Sequence, residues 1–368
     1  RPSVRWNGGK MRQINVAIAS LTHAHVRKYY QTLNDNAKIN WVAVSCEDKK
    51  IAENFEKLGY EVPVYESTEQ MLIAHPEIDG VVVASENSNH FRDMKLCCEY
   101  GKHMLSMKIP TFDLEEYDKM IAMVKNAGVI CQVELELHYN PTARRALELV
   151  RQGAIGEILS FNATNITLSP VWAFPWQGVP EISYGKRIPL RKGDQRFRGG
   201  ALSDHPHIFD MLRWITGSDY EYVFADVADN IRDIPEEDVL YVTGRMKNGC
   251  KFLLDPSWSR HEEKIAMPGP GWEVFPKRME VNYSIIGTEG VIQADCFGPN
   301  VYFNGGPNNR YTIQYTYFDE WIGMMDEFYD CIINGKEPKI TLEWHRKTIE
   351  AMVGCYESIA TGMPVVFE

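Results

Sequence analysis

The chain has no run of the roughly 18 apolar residues that a membrane-spanning helix needs, and no apolar export-signal core at its start. Positive charge is scarce: 39 Lys and Arg against 50 Asp and Glu leave a formal charge of -11. A surface of that sign repels a phosphate backbone, so a general nucleic-acid binder is excluded, although a local pocket can still hold an anion. The cysteines are Cys46, Cys97, Cys98, Cys131, Cys250, Cys296, Cys331 and Cys355, with no CxxC pair among them. Most fall inside apolar segments, which reads as reduced core thiols and makes the cytoplasm the expected compartment. Internal repeats and low-complexity linkers are also missing. Glycine is absent from the one place where a nucleotide-binding chain normally concentrates it, the turn after the first apolar segment.

What is present is a strand–helix rhythm. Residues 1–10 show no periodicity and are set apart as a leader segment. Strands are expected at Ile14–Ser20, Ile39–Cys46, Val62–Tyr65, Ile78–Ser85, His103–Met107 and Val129–Glu134, several of them β-branched and apolar on both faces. Helices are expected between them at His25–Asn34, Lys50–Leu58, Thr68–His75, up to Tyr100, and at Leu114–Asn126. Repeated strand–helix–strand units imply a parallel sheet with right-handed crossovers. The expected first domain is therefore Rossmann-like and spans 11–135.

After Asn140-Pro141 the rhythm changes. A helix at Thr142–Arg151 leads into strands at Ile158–Ile166, Tyr222–Val227, Val239–Met246, Lys251–Leu254, Val281–Ile286 and Val291–Ala294. Asn248-Gly249 marks a hairpin between two of them. Helices are expected at Leu202–Thr216, Asp319–Ile333 and Glu343–Thr361. The fold class is thus α/β, with a C-terminal α+β domain (136–368) built on an open, mostly antiparallel sheet. Its last helices are free to pack back on the first domain, and its exposed sheet face is the expected homo-oligomer contact.

The turn after the first strand reads Ala19-Ser20-Leu21-Thr22-His23-Ala24-His25, where a dinucleotide would normally meet GxGxxG at a helix N-terminus. Ala19 and Ala24 are small enough for the outer glycine positions, whereas Leu21 is not. The second strand ends in Ser45-Cys46-Glu47-Asp48, placing its acid one or two residues late for a ribose contact. Either the cofactor binds in a modified way or the domain has lost it.

The motifs resemble those of the glucose–fructose oxidoreductase/inositol dehydrogenase/MocA family over nearly the whole chain. Val16–His25 resembles a subgroup whose first loop reads VAFASxAHxH. Gly101–Lys108 resembles GKHVLCEK, with Met107 in place of glutamate and Ile109 in place of proline. Gly199–His207 resembles GGALxDHxxH, followed by Asp210 and Leu212-Arg213-Trp214. Pro256–Arg260 and Ile286–Val291 resemble further family stretches. The resemblance implies an NAD-dependent dehydrogenase of a sugar, glycoside or cyclitol, with NADP less favoured because Glu47 and Asp48 repel a 2′-phosphate. It places Ser20, Leu21, Thr22, His23, His25, Glu47, Ser85, Glu86, Asn87, His90 and Lys108 along the cofactor.

The same resemblance assigns Lys108, Asp204 and His207 to catalysis. Removing hydride from a carbinol carbon requires a base for the hydroxyl proton, which histidine suits, and an ammonium that stabilises the developing alkoxide. His207 stands three residues after Asp204 where relatives place it four after, so His205 is a candidate to share the role. His138, Tyr139, His205, Trp176 and Arg196 are expected to face the substrate, and Trp172, Arg187 and Arg191 lie in the same long segment as the last two. No metal is assigned. The competing reading is a lyase, isomerase or epimerase that draws metal ligands from Glu134, Glu136 and His138 (taken as one strand face) with Asp204, His205, His207 and His261, or holds its cofactor tightly. A non-catalytic sugar-binding relative is the third.

Overall fold

The structure, a computed structural model, describes residues 12–23, 25–167, 180–259, 280–298, 300–315 and 319–368. Residues 1–11, which include the segment expected as a leader, and Ala24, Trp172, Trp176 and His261 lie outside the described residues.

In the first half, strands β1 (Ile14–Ala19), β2 (Ile39–Ser45), β3 (Val64–Tyr65), β4 (Gly80–Val83), β5 (His103–Ser106) and β6 (Cys131–Val133) alternate with five helices. These are α1 (Val26–Asn34), α2 (Lys49–Glu56), α3 (Thr68–Ala74), α4 (His90–Glu99) and α5 (Leu114–Ala127). The strands form one parallel sheet in the order β3-β2-β1-β4-β5-β6. Every residue of β4 is buried, as a strand covered on both faces requires. Helix boundaries follow local chemistry: Asp113 accepts hydrogen bonds from the Glu115 and Glu116 amides to cap α5, and Gly128 closes it in the left-handed region.

The second half contains α6 (Pro141–Arg151), β7 (Ile158–Ile166), α7 (Pro180–Tyr184), α8 (Ala201–Asp204), α9 (Pro206–Thr216), β8 (Tyr220–Val227), β9 (Leu240–Met246) and β10 (Lys251–Asp255). It continues with β11 (Glu280–Gly287), β12 (Val291–Asp295), β13 (Asn300–Asn304), β14 (Arg310–Gln314), α10 (Glu320–Asn334), α11 (Leu342–Thr361) and β15 (Val365–Val366). Nine strands form a sheet in the order β14-β13-β12-β11-β7-β10-β9-β8-β15, with β7 and β10 parallel and every other pair antiparallel. The expected hairpin is present between β9 and β10, with Gly249 at φ +91. Helices α9 and α11 cover one face, burying Phe161, Tyr283 and Val242.

Helix α10 belongs to the first core although it comes from the far end of the chain. Its Met324, Met325 and Phe328 are buried among Ile14, Ile18 and Leu33. Gly80 makes room for it, since a Cβ there would lie 2.8 Å from the Phe328 ring.

Two expected elements differ. The helix expected over Leu202–Thr216 is broken at His205 (φ -116, ψ 55), because Pro206 has no amide to donate and its ring excludes a helical residue before it. The strand expected through Glu134 ends at Val133, and Glu136–Tyr139 forms a 3-10 turn, so Glu134, Glu136 and His138 share no strand face. No helix among the described residues is long and apolar enough to cross a membrane. All eight cysteines are free and buried.

Candidate active site

The parallel sheet changes winding direction between β1 and β4, and the crevice outside the carboxyl ends of such strands is where an α/β sheet receives ligands. The loop leaving β1 makes its tight turn without glycine. Ser20 takes φ +69, a conformation that costs a side-chain-bearing residue about 1–2 kcal/mol. A hydroxyl network offsets it: the Ser20 amide donates to Ser45 Oγ at 3.2 Å, Ser20 Oγ lies 2.9 Å from Thr22 Oγ1, and Thr22 Oγ1 donates to Glu86 Oε2 at 2.6 Å. Leu21 turns inward and is 4% exposed in the core beside α1, so its bulk never meets the crevice.

Ser20, Thr22, Ser45, Glu47, Glu86 and Arg92 line a cavity of about 530 Å³ at this edge, within the range of small-molecule sites. Asp48 is committed to capping α2 through the Ile51 amide, which leaves Glu47 as the rim carboxylate. Arg92, which the sequence motifs did not single out, lies 3.0 Å from Glu47 Oε1 and 3.2 Å from Asp93 Oδ1. In the neighbouring loop Ser85 Oγ and Asn87 Oδ1 are buried with no partner among the described residues. Orphaned polar atoms beside a cavity are what a bound nucleotide would satisfy. The residues therefore fit a dinucleotide despite the missing glycines.

Behind the loop, His23 Nδ1 accepts from the His25 amide at 3.1 Å and its Nε2 donates to the Lys108 carbonyl at 2.8 Å. Buried His90 directs Nδ1 to the Ile109 carbonyl at 2.9 Å. Both histidines thus clamp the segment that carries Lys108. His25 Nδ1 lies 2.5 Å from Glu134 Oε1. His23, His25 and Glu134 bring ligand-type atoms within 4.8 Å of one another. Both nitrogens of His23 are already engaged, so His23 has no lone pair to spare for a metal.

The Lys108 ammonium is 4% exposed and bonds Asp204 twice, to the carbonyl at 2.6 Å and to Oδ1 at 3.0 Å. Trp258 Nε1 donates to Asp204 Oδ2 at 3.0 Å. Burial pushes the Asp204 carboxyl up, but Lys108 and His205 outweigh it and hold the group well below the usual range. His205 donates Nδ1–H to the Pro256 carbonyl at 2.7 Å, with Nε2 at 3.5 Å from Asp204 Oδ2. The break before Pro206 sends His207 elsewhere: its Nε2 lies 3.6 Å from Glu136 Oε1, and its Nδ1 is buried without a partner among the described residues. Burial, then Lys108 and His25, hold His207 well below its ordinary pKa, so it is neutral. Burial pushes Glu136 up to about 7, against His25 and with Glu134. Glu134 Oε2 and Glu136 Oε2 also lack partners among the described residues. The arrangement is a fixed ammonium, a neutral imidazole and a carboxyl that titrates near neutrality, with unfilled hydrogen-bonding capacity.

The structure brings Lys108, Asp204, His205 and His207 together and adds Glu134, Glu136 and Trp258. Of the other residues expected to face substrate, His138, Tyr139 and Arg196 are not there. His138 Nε2 bonds Asp210, and the ring packs on Trp214 at a centroid distance of 4.1 Å, because the 3-10 turn carries it past the site. Tyr139 and His138 line a separate cavity. Arg196 is committed to Asp194 and to the Ala228 carbonyl, Arg187 to Glu181 and Arg191 to Asp226. Acceptors in their own segment (Glu181, Asp194) and on β8, α11 and the residue after β8 (Asp226, Ile359, Ala228) engage these guanidinium groups. Trp176 lies outside the described residues.

Residues 14–135 match the oxidoreductase family with an NAD-binding Rossmann fold, and residues 143–293 match the GFO/IDH/MocA C-terminal domain. Myo-inositol 2-dehydrogenase of Thermotoga maritima is 26% identical over 320 residues, covering 84% of this chain and 85% of that protein. The scyllo-inositol 2-dehydrogenase (NAD(+)) of Bacillus subtilis is 21% identical over 345 residues, covering 92% of each. Among solved structures, an Agrobacterium radiobacter oxidoreductase in complex with NAD+, L-tartaric acid and magnesium superposes with TM-score 0.78 at 18% identity, over 96% of this chain and 98% of that one. An inositol dehydrogenase homologue from Azotobacter vinelandii complexed with NAD+ also gives TM-score 0.78, at 14% identity, over 97% and 98% of the two chains. With both halves of the chain matched in order and the whole fold shared, the protein belongs to the GFO/IDH/MocA oxidoreductase family, whose first domain is an NAD-binding Rossmann fold.

Proposed function

We propose that the protein interconverts a secondary hydroxyl and a ketone on a neutral sugar, glycoside or cyclitol, using NAD. The observation that carries this reading is the buried Lys108–Asp204 pair beside a neutral, half-satisfied His207. NAD bound along the Ser20–Thr22 and Ser85–Asn87 loops supplies the hydride acceptor. Lys108 donates to the reacting oxygen and stabilises its developing negative charge. Asp204, ionised and anchored by Trp258, fixes the ammonium in place. His207 takes the hydroxyl proton at Nδ1, the nitrogen that has no partner. Its Nε2–H faces Glu136, which stabilises the imidazolium that forms. His205 donates Nδ1–H to the Pro256 carbonyl, which leaves Nε2 as an acceptor for the Thr167 hydroxyl at 3.3 Å, so it braces the segment next to Asp204 and takes no proton itself. Three carboxylates, Glu134, Glu136 and Asp204, repel an anionic group near the reacting carbon, so the substrate is neutral there. Glu47 at the cavity rim disfavours the 2′-phosphate of NADP.

The open face of the second sheet presents Tyr241, Leu253 and Ile286 to solvent, each at least 39% exposed, which supports a homo-oligomer formed through that face. Reduced, buried thiols suit the cytoplasm. Incubating the protein with NAD and a panel of cyclitols and neutral sugars, while following the absorbance of reduced nicotinamide, tests the activity. Turnover with at least one neutral polyol is expected. Turnover confined to sugar acids would contradict the reading of the carboxylate-lined centre.

A further inference from the structure

A second cavity lies away from the Lys108–Asp204–His207 centre. It has a volume of about 970 Å³ and lies along the outer face of α6, reaching Gly217 at the far end of α9 and Trp344 at the start of α11. Lys108, Glu136, Asp204 and His207 do not line it. Four cations do: Arg144, Arg145, Arg151 and Lys339, against the single acid Glu148. Arg145 pairs with Glu148 at 2.7 Å and Lys339 with Glu327 at 2.7 Å. Arg144 and Arg151 have no ion-pair partner among the described residues. They are seven residues apart on α6, which puts them on one helix face about 10 Å apart. Both are exposed at the cavity rim, so their guanidinium groups are accessible to a ligand.

Much of the remaining wall is ring-bearing. Tyr139, Trp214, Tyr315, Trp344 and His138 line the cavity, with the His138 and Trp214 ring centroids 4.1 Å apart. His138 is 4% exposed. With Nε2 bonded to Asp210, its Nδ1 is buried and without a partner among the described residues. The cavity therefore offers guanidinium donors for an oxyanion, aromatic faces for the C–H face of a ring, and a buried, unpartnered imidazole nitrogen for a hydroxyl. We propose that it binds an anionic carbohydrate, a sugar carrying phosphate or carboxylate, separately from the catalytic centre. The two sites are opposite in charge. The carboxylate-lined centre rejects such a molecule, and this cavity selects it.

Calorimetric titration of the full chain with D-glucose 6-phosphate, D-glucuronate, D-glucose and inorganic phosphate tests the proposal and tells a phosphate from a carboxylate requirement. Saturable one-to-one binding is expected for at least one sugar anion, at least tenfold tighter than for inorganic phosphate, with no binding of D-glucose. The double variant Arg144→Gln/Arg151→Gln should weaken the sugar anion tenfold or more while leaving the melting temperature unchanged. Lys108→Ala should leave that binding intact even where it abolishes turnover, so this outcome is independent of the catalytic assignment. The proposal is overturned if neither sugar anion saturates, if inorganic phosphate binds as tightly, if the double variant binds normally, or if Lys108→Ala abolishes binding.

Discussion

Replacing Glu136 by Gln probes both the chemistry and the energetics of the site. Burial raises this carboxyl from its ordinary 4.5 to about 7, opposed by His25 and reinforced by Glu134. In the unfolded chain the group titrates at its ordinary value. Below that value both states are protonated and folding bears no penalty. As pH rises from about 4.5 through 7, the unfolded chain gives up the proton first, so stability is lost across that window. The gap is worth at most about 3 kcal/mol, less whatever relaxation and coupling to His25 and Glu134 recover. Glu136→Gln removes the titration. Its melting temperature should match the wild type near pH 5 and exceed it by a few degrees near pH 8. Activity should move the other way. The neutral amide cannot stabilise a protonated His207, so polyol oxidation should fall by about 10- to 100-fold. The wild-type rate should rise with pH through about 7 and the variant profile should flatten there. Differential scanning fluorimetry at the two pH values and a kcat/KM profile with saturating NAD read both effects. An unchanged inflection in the variant, or an equal gain in melting temperature at both pH values, would refute the reasoning.

Three further outcomes follow from the geometry. Lys108→Ala and His207→Ala should each lower kcat/KM by about 10²-fold or more with folding retained, as circular dichroism would show; near-normal rates in His207→Ala combined with loss in His205→Ala would reverse the roles given to these histidines. Dialysis against a strong chelator should leave turnover intact, since both nitrogens of His23 are engaged; loss of activity that a divalent ion restores would reinstate the metal-dependent alternative. Gly80→Ala should lower thermal stability by about 1–3 kcal/mol, because its Cβ would enter the Phe328 ring at 2.8 Å, and a melting temperature at or above the wild type would show that α10 packs differently.

The first sheet was legible because its strands are short, apolar and buried on both faces, so Ile14–Ala19 and Gly80–Val83 read as strands without reference to anything distant. β13 and β14 were not. Val301, Phe303 and Ile313 are set among Asn, Gly, Tyr and polar residues, and five-residue strands at the outer end of a sheet, β14 at its edge and β13 beside it, depend on their neighbours for identity. The break at His205 was written in the sequence as Pro206, yet the apolar period through Ile208, Met211 and Leu212 masked it. Lys108, Asp204 and His207 were identified by resemblance. The contacts that define their states, Trp258 to Asp204 and Glu136 to His207, join residues 54 and 71 positions apart and leave no local signature. His138 was misplaced because a period-two reading assumed a strand where the chain forms a 3-10 turn. Ser20 shows the converse limit: a missing glycine motif did not abolish the turn, since a hydroxyl network holds a serine in the same conformation.

The central claim is hydride transfer from a carbinol carbon at the Lys108–His207 centre to NAD. It is tested most directly by turning over a neutral polyol deuterated at its carbinol carbons and analysing the nicotinamide by mass spectrometry. One deuterium per molecule of NADH, formed in equal amount with a ketone product, is the predicted result. Turnover that converts the polyol without ketone and without deuterium in released NADH would contradict the claim and assign the site to an epimerase or lyase.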